Sequence, residues 1–352
     1  MKICVYGISK NEELFVQRWA ESAKDADLIL LADTGSTDRT CEIAKECGVD
    51  LHHICITPWR FDHARNASLA LIPKDIDVCI SLDVDEVLEE GWREEIERLW
   101  EVGKTTRLRY RFSWGHGKIF QHEKIHARHG YFWVKPCHEI PALDGRVTEV
   151  SAYTDKLLVS HYPDDTKSRG QYLALLRLSV EEDPYCPRNA WYYARELYYY
   201  RRWPEAIERI NLYLAMPNST WKAERSYAMR VMAECYSAQG DKATAEQWLH
   251  WAAVEDPTAR ESWIALADLT GNQHRWEESF AYAMKALNIK NRVYVYTSDP
   301  NAWGARPFDL AAIAAYRLGL CDIAIKHGKI ALELAPDDDR LRDNLDWYLG
   351  KK

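Results

Sequence analysis

The feature that most constrains the fold is a spacing in the second half of the chain. Gly240, Ala245, Ala252 and Pro257 lie 5, 7 and 5 residues apart, and Gly319, Ala324, Ala331 and Pro336 repeat that spacing. Ala233 and Ala267 are 34 residues apart, as are Ala252 and Ala286, and a looser copy runs through Ala190, Ala194, Ala206 and Pro217. Small residues at fixed intervals let two helices cross closely, and a turn glycine or proline ends each pair. The pattern, running from residue 188 to 338, predicts about four stacked helix pairs. An irregular helical bundle is the alternative. Asn288 to Pro307 breaks the spacing and is expected to be an insertion between units.

The first half reads differently. Lys2–Gly7 is a short apolar run, followed by polar Ser9-Lys10-Asn11-Glu12 and an amphipathic helix over Glu13–Ala23. Leu28–Ala32 is a second strand, closed by Asp33-Thr34-Gly35-Ser36-Thr37-Asp38, whose capping residues introduce a helix over Arg39–Cys47. His52–Ile56 and Val78–Leu82 are further strand candidates, and Leu157–Ser160 is a late one. Glu89–Trp100, with Trp92, Ile96 and Leu99, reads as a surface helix packed on one face. Strands alternating with helices, with polar loops after the strands, predict a largely parallel, Rossmann-like mixed sheet that binds ligands at its carboxyl edge.

A chain of 352 residues fits two domains. The division expected is an α/β domain over 1–168 and an all-α helical-repeat domain over 169–352. The formal net charge of −8 argues against a general polyanion binder. There is no apolar run of about 18 residues, so no membrane insertion is expected. Met1–Tyr6 runs straight into a strand pattern without a signal-peptide signature, which points to a cytoplasmic protein. The nine cysteines are odd in number and contain no C-x-x-C pair, so they are read as reduced thiols.

The densest chemical signal is Cys79-Ile80-Ser81-Leu82-Asp83-Val84-Asp85-Glu86. Three acids directly after an apolar strand suit a hard divalent cation, Mn²⁺ or Mg²⁺, which would bridge to a diphosphate. A solvated acidic loop is the plain alternative. His116, His122, His126 and His129 form a histidine-rich tract with irregular spacing. A mobile acceptor-side loop over Lys118–Trp133 is expected there in preference to a second metal site.

The order Ile3–Glu12, Asp33–Thr40, Arg65-Asn66, Asp83–Glu86, His138-Glu139 and His161 resembles family 2 of the glycosyltransferases, a GT-A group using nucleotide-diphosphate sugars. The resemblance covers residues 1–165, and Asp33-Thr34-Gly35-Ser36-Thr37-Asp38-Arg39-Thr40 is its strongest single match. It implies that Asp33, with the backbone at Ile8 and Ser9 and the neighbouring Asn11 and Glu12, meets the nucleobase. Arg65 would approach the base or diphosphate, and Asp83 and Val84 the ribose and sugar. Asp85, with His161 and Asp83, would hold the metal. Glu139 would be the base, with His138 orienting the acceptor or sharing the role. The second half resembles tetratricopeptide repeats.

These resemblances imply an inverting hexosyltransferase with a UDP-sugar donor favoured. The acceptor is left open among a peptide or protein, a saccharide and a modified DNA base. The repeats would aid acceptor binding or form a homodimer. A catalytically inactive scaffold is the first alternative. A nucleotidyltransferase ranks lower because Gly7 stands alone where a glycine-rich phosphate loop would be needed.

Overall fold

The computed structural model describes residues 1–115, 117–164 and 170–351. The chain divides into two compact units, Met1–Glu182 and Asp183–Lys352.

The first unit begins β1 (Ile3–Ser9), α1 (Val16–Ser22), β2 (Leu28–Asp33), α2 (Thr40–Glu46), β3 (Asp50–His53), α3 (Phe61–Leu71) and β4 (Val78–Ser81). It continues with β5 (Glu86–Leu88), α4 (Trp92–Leu99), β6 (Arg107–Gly115), β7 (Lys118–Ala127), β8 (Tyr131–Val134), β9 (Ile140–Leu143), β10 (Ser151–His161) and α5 (Tyr172–Glu182). Among the described residues, eight strands form one mixed sheet in the order β3-β2-β1-β4-β7-β6-β10-β5, and β8 and β9 form a separate hairpin.

β1 pairs in parallel with both β2 and β4, so Ser9, Asp33 and Ser81 end on the same edge. Cys4, Val5 and Tyr6 in the middle of β1 are fully buried, as expected for a strand covered on both faces. Trp19, Ile80, Leu108 and Phe112 belong to the core on one side. Tyr6, Leu30 and Trp133 belong to the core on the other.

Two expectations are corrected. The third strand lies at Asp50–His53, not His52–Ile56. Gly48, at φ 75°, turns the chain straight out of α2, and pairing with β2 then sets Asp50 opposite Leu30. The supposed mobile loop over Lys118–Trp133 is instead β7, an interior strand antiparallel to β4 and β6, followed by β8. Its buried positions include Lys124 and His126, so polar residues on an interior strand disguised it. His126 is neutral by burial, its pKa pushed down to about 4. Trp133 Nε1 donates to the Tyr6 hydroxyl at 2.9 Å, which lies 2.9 Å from His126 Nε2, while His126 Nδ1 lies 2.9 Å from the Ala127 carbonyl.

The second unit is helical: α6 (Pro187–Tyr199), α7 (Trp203–Ala215), α8 (Lys222–Ala238), α9 (Lys242–Glu255), α10 (Arg260–Asn272) and α11 (Trp276–Asn288). After a 3₁₀ turn at Pro300–Trp303 come α12 (Arg306–Arg317), α13 (Cys321–Leu334) and α14 (Asp339–Tyr348). Ala194, Ala206, Ala245, Ala252, Ala267, Ala283, Ala324 and Ala331 are buried at helix crossings, as the spacing requires. The segment between Asn288 and Arg306 is the expected interruption.

Each helix pair turns through one left-handed residue, two positions before its second helix: Arg201 (φ 57°), Gly240 (φ 87°), His274 (φ 61°) and Gly319 (φ 75°). Two turns therefore use glycine and two carry a side chain in a conformation that crowds Cβ. Arg201→Gly is expected to stabilise the protein by roughly 1 kcal/mol, and Gly240→Ala to cost a similar amount. Denaturant unfolding of the two variants beside wild type measures both signs.

Candidate functional site

The site is built at the carboxyl edge of β1, β2 and β4. Asp33 ends β2 and is 1% exposed. It accepts hydrogen bonds from Ser9 Oγ (3.1 Å), Gly35 N (3.0 Å), Ser36 N (3.0 Å) and Ser36 Oγ (2.5 Å). Burial pushes its carboxyl upward, but these bonds outweigh that and hold it below its ordinary value. Asn11 is exposed at φ 57°. Its N donates to Ser36 Oγ (2.9 Å), its Oδ1 accepts from Thr37 N (2.8 Å), and Glu12 N donates to Thr40 Oγ1 (2.6 Å). The loops after β1 and β2 are thus laced into one surface, with Ile8 half-buried beneath it. Asp33, Cys41 and His53 bring one ligand-type atom each within 4.8 Å of one another. The Asp33 oxygens are already committed to Ser9, Gly35 and Ser36, which makes that group a poor metal site.

The centre is Arg65 on α3, 4% exposed. Its Nη1 donates to Ser81 Oγ (3.0 Å), its Nη2 to Asp83 Oδ1, and its Nε to Glu139 Oε1 (2.5 Å). The neighbouring Asn66 fixes this meeting. Asn66 Nδ2 donates to the Trp133 carbonyl and its Oδ1 accepts from Trp133 N, both at 2.8 Å, which docks β8 on α3. Lys135 (φ 85°) and His138 (φ 52°) then turn the chain sharply and deliver Glu139 to Arg65. Among the described residues Glu139 Oε2 takes no hydrogen bond. The His138 ring lies 5.9 Å from Tyr172.

Lys124 of β7 completes the centre, donating to Asp83 Oδ2 (2.7 Å) and Glu86 Oε1 (3.2 Å). Both Asp83 oxygens therefore face cations. Burial alone would raise Asp83, but Arg65 and Lys124 hold it well below the carboxylate range. Glu86 goes the other way: burial first, then the adjacent Asp83 charge, pushes it up to about 7. The Val84 side chain is in the core, so only its backbone is available to a ligand.

A second pair stands beside this centre. Asp85 Oδ2 lies 3.3 Å from Nε2 of His161, the last residue of β10. Burial lowers the His161 pKa, but Asp85 outweighs it and the net direction is upward. Trp114 stacks on the His161 ring at 4.3 Å, and His161 Nδ1 is buried without a hydrogen-bond partner among the described residues. Tyr162 N donates to the Asp85 carbonyl (2.8 Å), and Arg18 of α1 lies over the Tyr162 ring at 4.0 Å. Among the described residues, the Arg18 Nε and Nη2 are buried with no hydrogen-bond partner.

The sequence-derived residues thus fall into three neighbouring groups: Ser9, Asn11, Glu12 and Asp33; Arg65, Asp83 and Glu139; and Asp85 with His161. Lys124 and Arg18 were missed as members, and Glu86 was read only as one of three acids suited to a cation. Nothing local marks Lys124 or Arg18: Lys118–Ala127 does not alternate, since Ile119 and Phe120 are adjacent and four polar residues follow them. Of the histidine tract, His126 is core, and His129 Nε2 lies 2.9 Å from the Lys74 carbonyl. His122 stacks on Tyr110, and His116 lies outside the described residues. No described helix is long and apolar enough to cross a membrane.

No protein-family model matches the chain. It is 31% identical over 100 residues to a protein of Rickettsia bellii named an uncharacterized glycosyltransferase, covering 28% of this chain and 33% of that protein. It is 37% identical over 90 residues to a TPR repeat-containing protein of Synechococcus elongatus, covering 25% of this chain and 21% of that protein. The chain therefore spans about a third and a fifth of these curated relatives. Among solved structures, the C-terminal part of a TPR repeat-containing protein from Cytophaga hutchinsonii gives a TM-score of 0.41 at 16% identity, over 51% of this chain and 64% of that one. PilF of Pseudomonas aeruginosa gives 0.39 at 16% identity, over 51% and 72%. Scores this low carry no argument. The TPR-like character of the helical region rests on its repeated turns and on the Synechococcus match.

Glu86 gives the site a pH signature. Its folded pKa of about 7 lies above the ordinary value of 4.5, so the folded state binds its proton more tightly. Its contribution is complete below pH 4.5 and is lost as pH rises through about 7. Metal-free wild type is expected to lose up to about 3 kcal/mol relative to Glu86→Gln across that window. Parallel denaturation curves give the difference; two curves of identical pH dependence would refute it.

Proposed function

We propose that the first unit is a GT-A-type catalytic domain that transfers a sugar from a nucleotide-diphosphate donor, a UDP-sugar being favoured, with inversion at the anomeric carbon. The observation carrying this reading is the Asp85–His161 pair set beside the Arg65-bridged Asp83 and Glu139. The resemblance of the motif order to family 2 glycosyltransferases, and the name of the Rickettsia bellii relative, support it.

A carboxylate oxygen and an imidazole nitrogen 3.3 Å apart suit Mn²⁺ or Mg²⁺. Asp83 fits that role less well, because Arg65 and Lys124 already neutralise both of its oxygens. Bound there, the cation would neutralise charge developing on the departing diphosphate. Arg18 is placed to assist, since its Nε and Nη2 have no acceptor among the described residues and it sits on the residue following His161. Ser9 and Asp33, with the laced backbone of the two loops, offer the nucleobase its polar edge.

Glu139 Oε2 serves as the base that receives the acceptor proton. The acceptor oxygen forms its bond to the anomeric carbon as the bond from that carbon to the diphosphate oxygen breaks, and the electron pair leaves with the diphosphate. Arg65 positions Asp83 and Glu139 and touches neither reacting atom. His138, at the same turn, orients the acceptor. The acceptor is a saccharide, a peptide or protein, or a modified DNA base, bound with help from the helical unit.

The reading is tested by thermal shift with a panel of nucleotide diphosphates and their sugars, with and without Mn²⁺. One nucleotide family is expected to stabilise wild type in the presence of Mn²⁺, by about 2.7 kcal/mol at a hundredfold excess over Kd, and Asp85→Ala is expected to lose that response. No response to any nucleotide would sink the reading. Arg18→Met is expected to weaken donor binding about tenfold, while Glu139→Gln keeps donor binding and loses 10²-fold or more in kcat. Release of pyrophosphate instead of nucleoside diphosphate would indicate a nucleotidyltransferase.

A further inference from the structure

The carboxyl edge carries a half-exposed aromatic ring that the transfer chemistry above does not use. Leu108, Tyr110, Phe112 and Trp114 alternate along β6 and face the same way. The first three are buried in the core. Trp114 continues the row past the end of the core and is 48% exposed. Parallel pairing sets Ser113 beside Ser160, so Trp114 comes up beside His161. Its ring stacks on the imidazole at 4.3 Å with 29° between the planes, and Phe112 lies 6.1 Å from both rings. The imidazole covers one face of the indole. With about half of the residue still open, the other face is the part that meets solvent.

A single exposed apolar side chain is ordinary on a protein surface. Two observations set Trp114 apart. It backs an imidazole whose Nδ1, among the described residues, has no hydrogen-bond partner to fix the ring. It also stands at the Asp85–His161 pair, the place suited to a cation that meets a diphosphate. Tyr162 is a second half-exposed ring beside His161, but the Arg18 guanidinium already lies over it at 4.0 Å. The open indole face thus offers a flat apolar surface next to a polar, charged site, the combination that holds and orients small ligands.

We propose that the outer face of Trp114 carries the sugar ring of the donor. A pyranose turns a face of C–H bonds outward, and their slight positive charge suits the negative face of an indole, while both surfaces leave water. The donor sugar is bonded directly to the diphosphate, so a ring beside His161 is within reach of that sugar. An acceptor has to meet Glu139, which enters from the turn before β9 and touches Arg65 and through it Asp83. Trp114 and Glu139 stand at opposite ends of this chain of contacts, which assigns the indole to the donor. The inference rests on reading the first unit as a glycosyltransferase, and makes a pyranose the group transferred.

Calorimetry on the full chain with Mn²⁺ tests this with UDP, GDP, UDP-glucose, UDP-galactose, UDP-N-acetylglucosamine and GDP-mannose. The quantity read is the Kd of a bare diphosphate divided by the Kd of its sugar. For the sugar that wild type binds most tightly, Trp114→Ala is expected to lower that ratio tenfold or more, with the Kd of the diphosphate moving less than twofold. Trp114→Phe, which keeps a flat ring, is expected to retain most of the ratio. Should Trp114→Ala fail to fold, Trp114→Leu, apolar but without a ring face, is expected to lower the ratio in the same way. An equal loss for diphosphate and sugar would mean that Trp114 only steadies His161, and an unchanged ratio that its outer face holds nothing. Either result overturns the proposal, as does binding of the diphosphates and of none of the sugars; the transferase reading survives all three. If wild type responds to no nucleotide, that reading falls and the proposal with it.

Discussion

The first unit depends on the burial of Arg65. A guanidinium with 4% exposure is tolerable only if its donors are met, and Ser81 and Asp83 at the end of β4 and Glu139 before β9 meet them from two separate stretches of chain. Removing Asp83 or Glu139 would leave the buried guanidinium short of a counter-charge, and removing Ser81 would leave one of its donors unmet. The arrangement therefore ties α3, the end of β4 and the turn before β9 into one unit. Lys124 adds a second buried cation, so five charged groups share the site: two positive, and Asp83, Glu86 and Glu139 negative. One carboxylate in excess, with Glu86 itself buried and Asp83 facing both cations, explains why Glu86 holds its proton to about pH 7 while Asp83 does not.

That network also separates roles among neighbouring acids. Asp83 and Asp85 are two residues apart, yet Asp83 points its oxygens at cations of the protein and Asp85 faces an imidazole. Sequence spacing suggested that both take a metal. The side-chain environment divides them, because Lys124 reaches Asp83 from a strand placed next to β4 by antiparallel pairing.

The helical unit follows a simpler rule. Alanines at crossings set the helix separation, and one left-handed residue per pair sets the turn. Where glycine fills that position the repeat was visible in the sequence; where Arg201 or His274 fills it, the same geometry was hidden. The interrupting segment between α11 and α12 carries no repeat signal, and through the Tyr296 hydroxyl it is tied to Trp191 of α6 and Glu224 of α8.

The sequence by itself determined the division into an α/β half and a repeat half, the strands β1, β2 and β4, and the residues at their carboxyl ends. Those features are local: apolar runs, turn residues, and acids directly after a strand. Glu139, Arg65 and His161 were also legible, but only through a resemblance of motif order. Tertiary structure alone decided the rest. β7 was hidden because Lys124 and His126 are buried polar residues whose partners lie 41 and 120 positions away, at Asp83 and Tyr6. Arg18 gained its place by stacking on Tyr162, far along the chain. A side chain's charge is written in the sequence; which charge it meets is fixed by strand pairing and burial, and no local pattern carries that information.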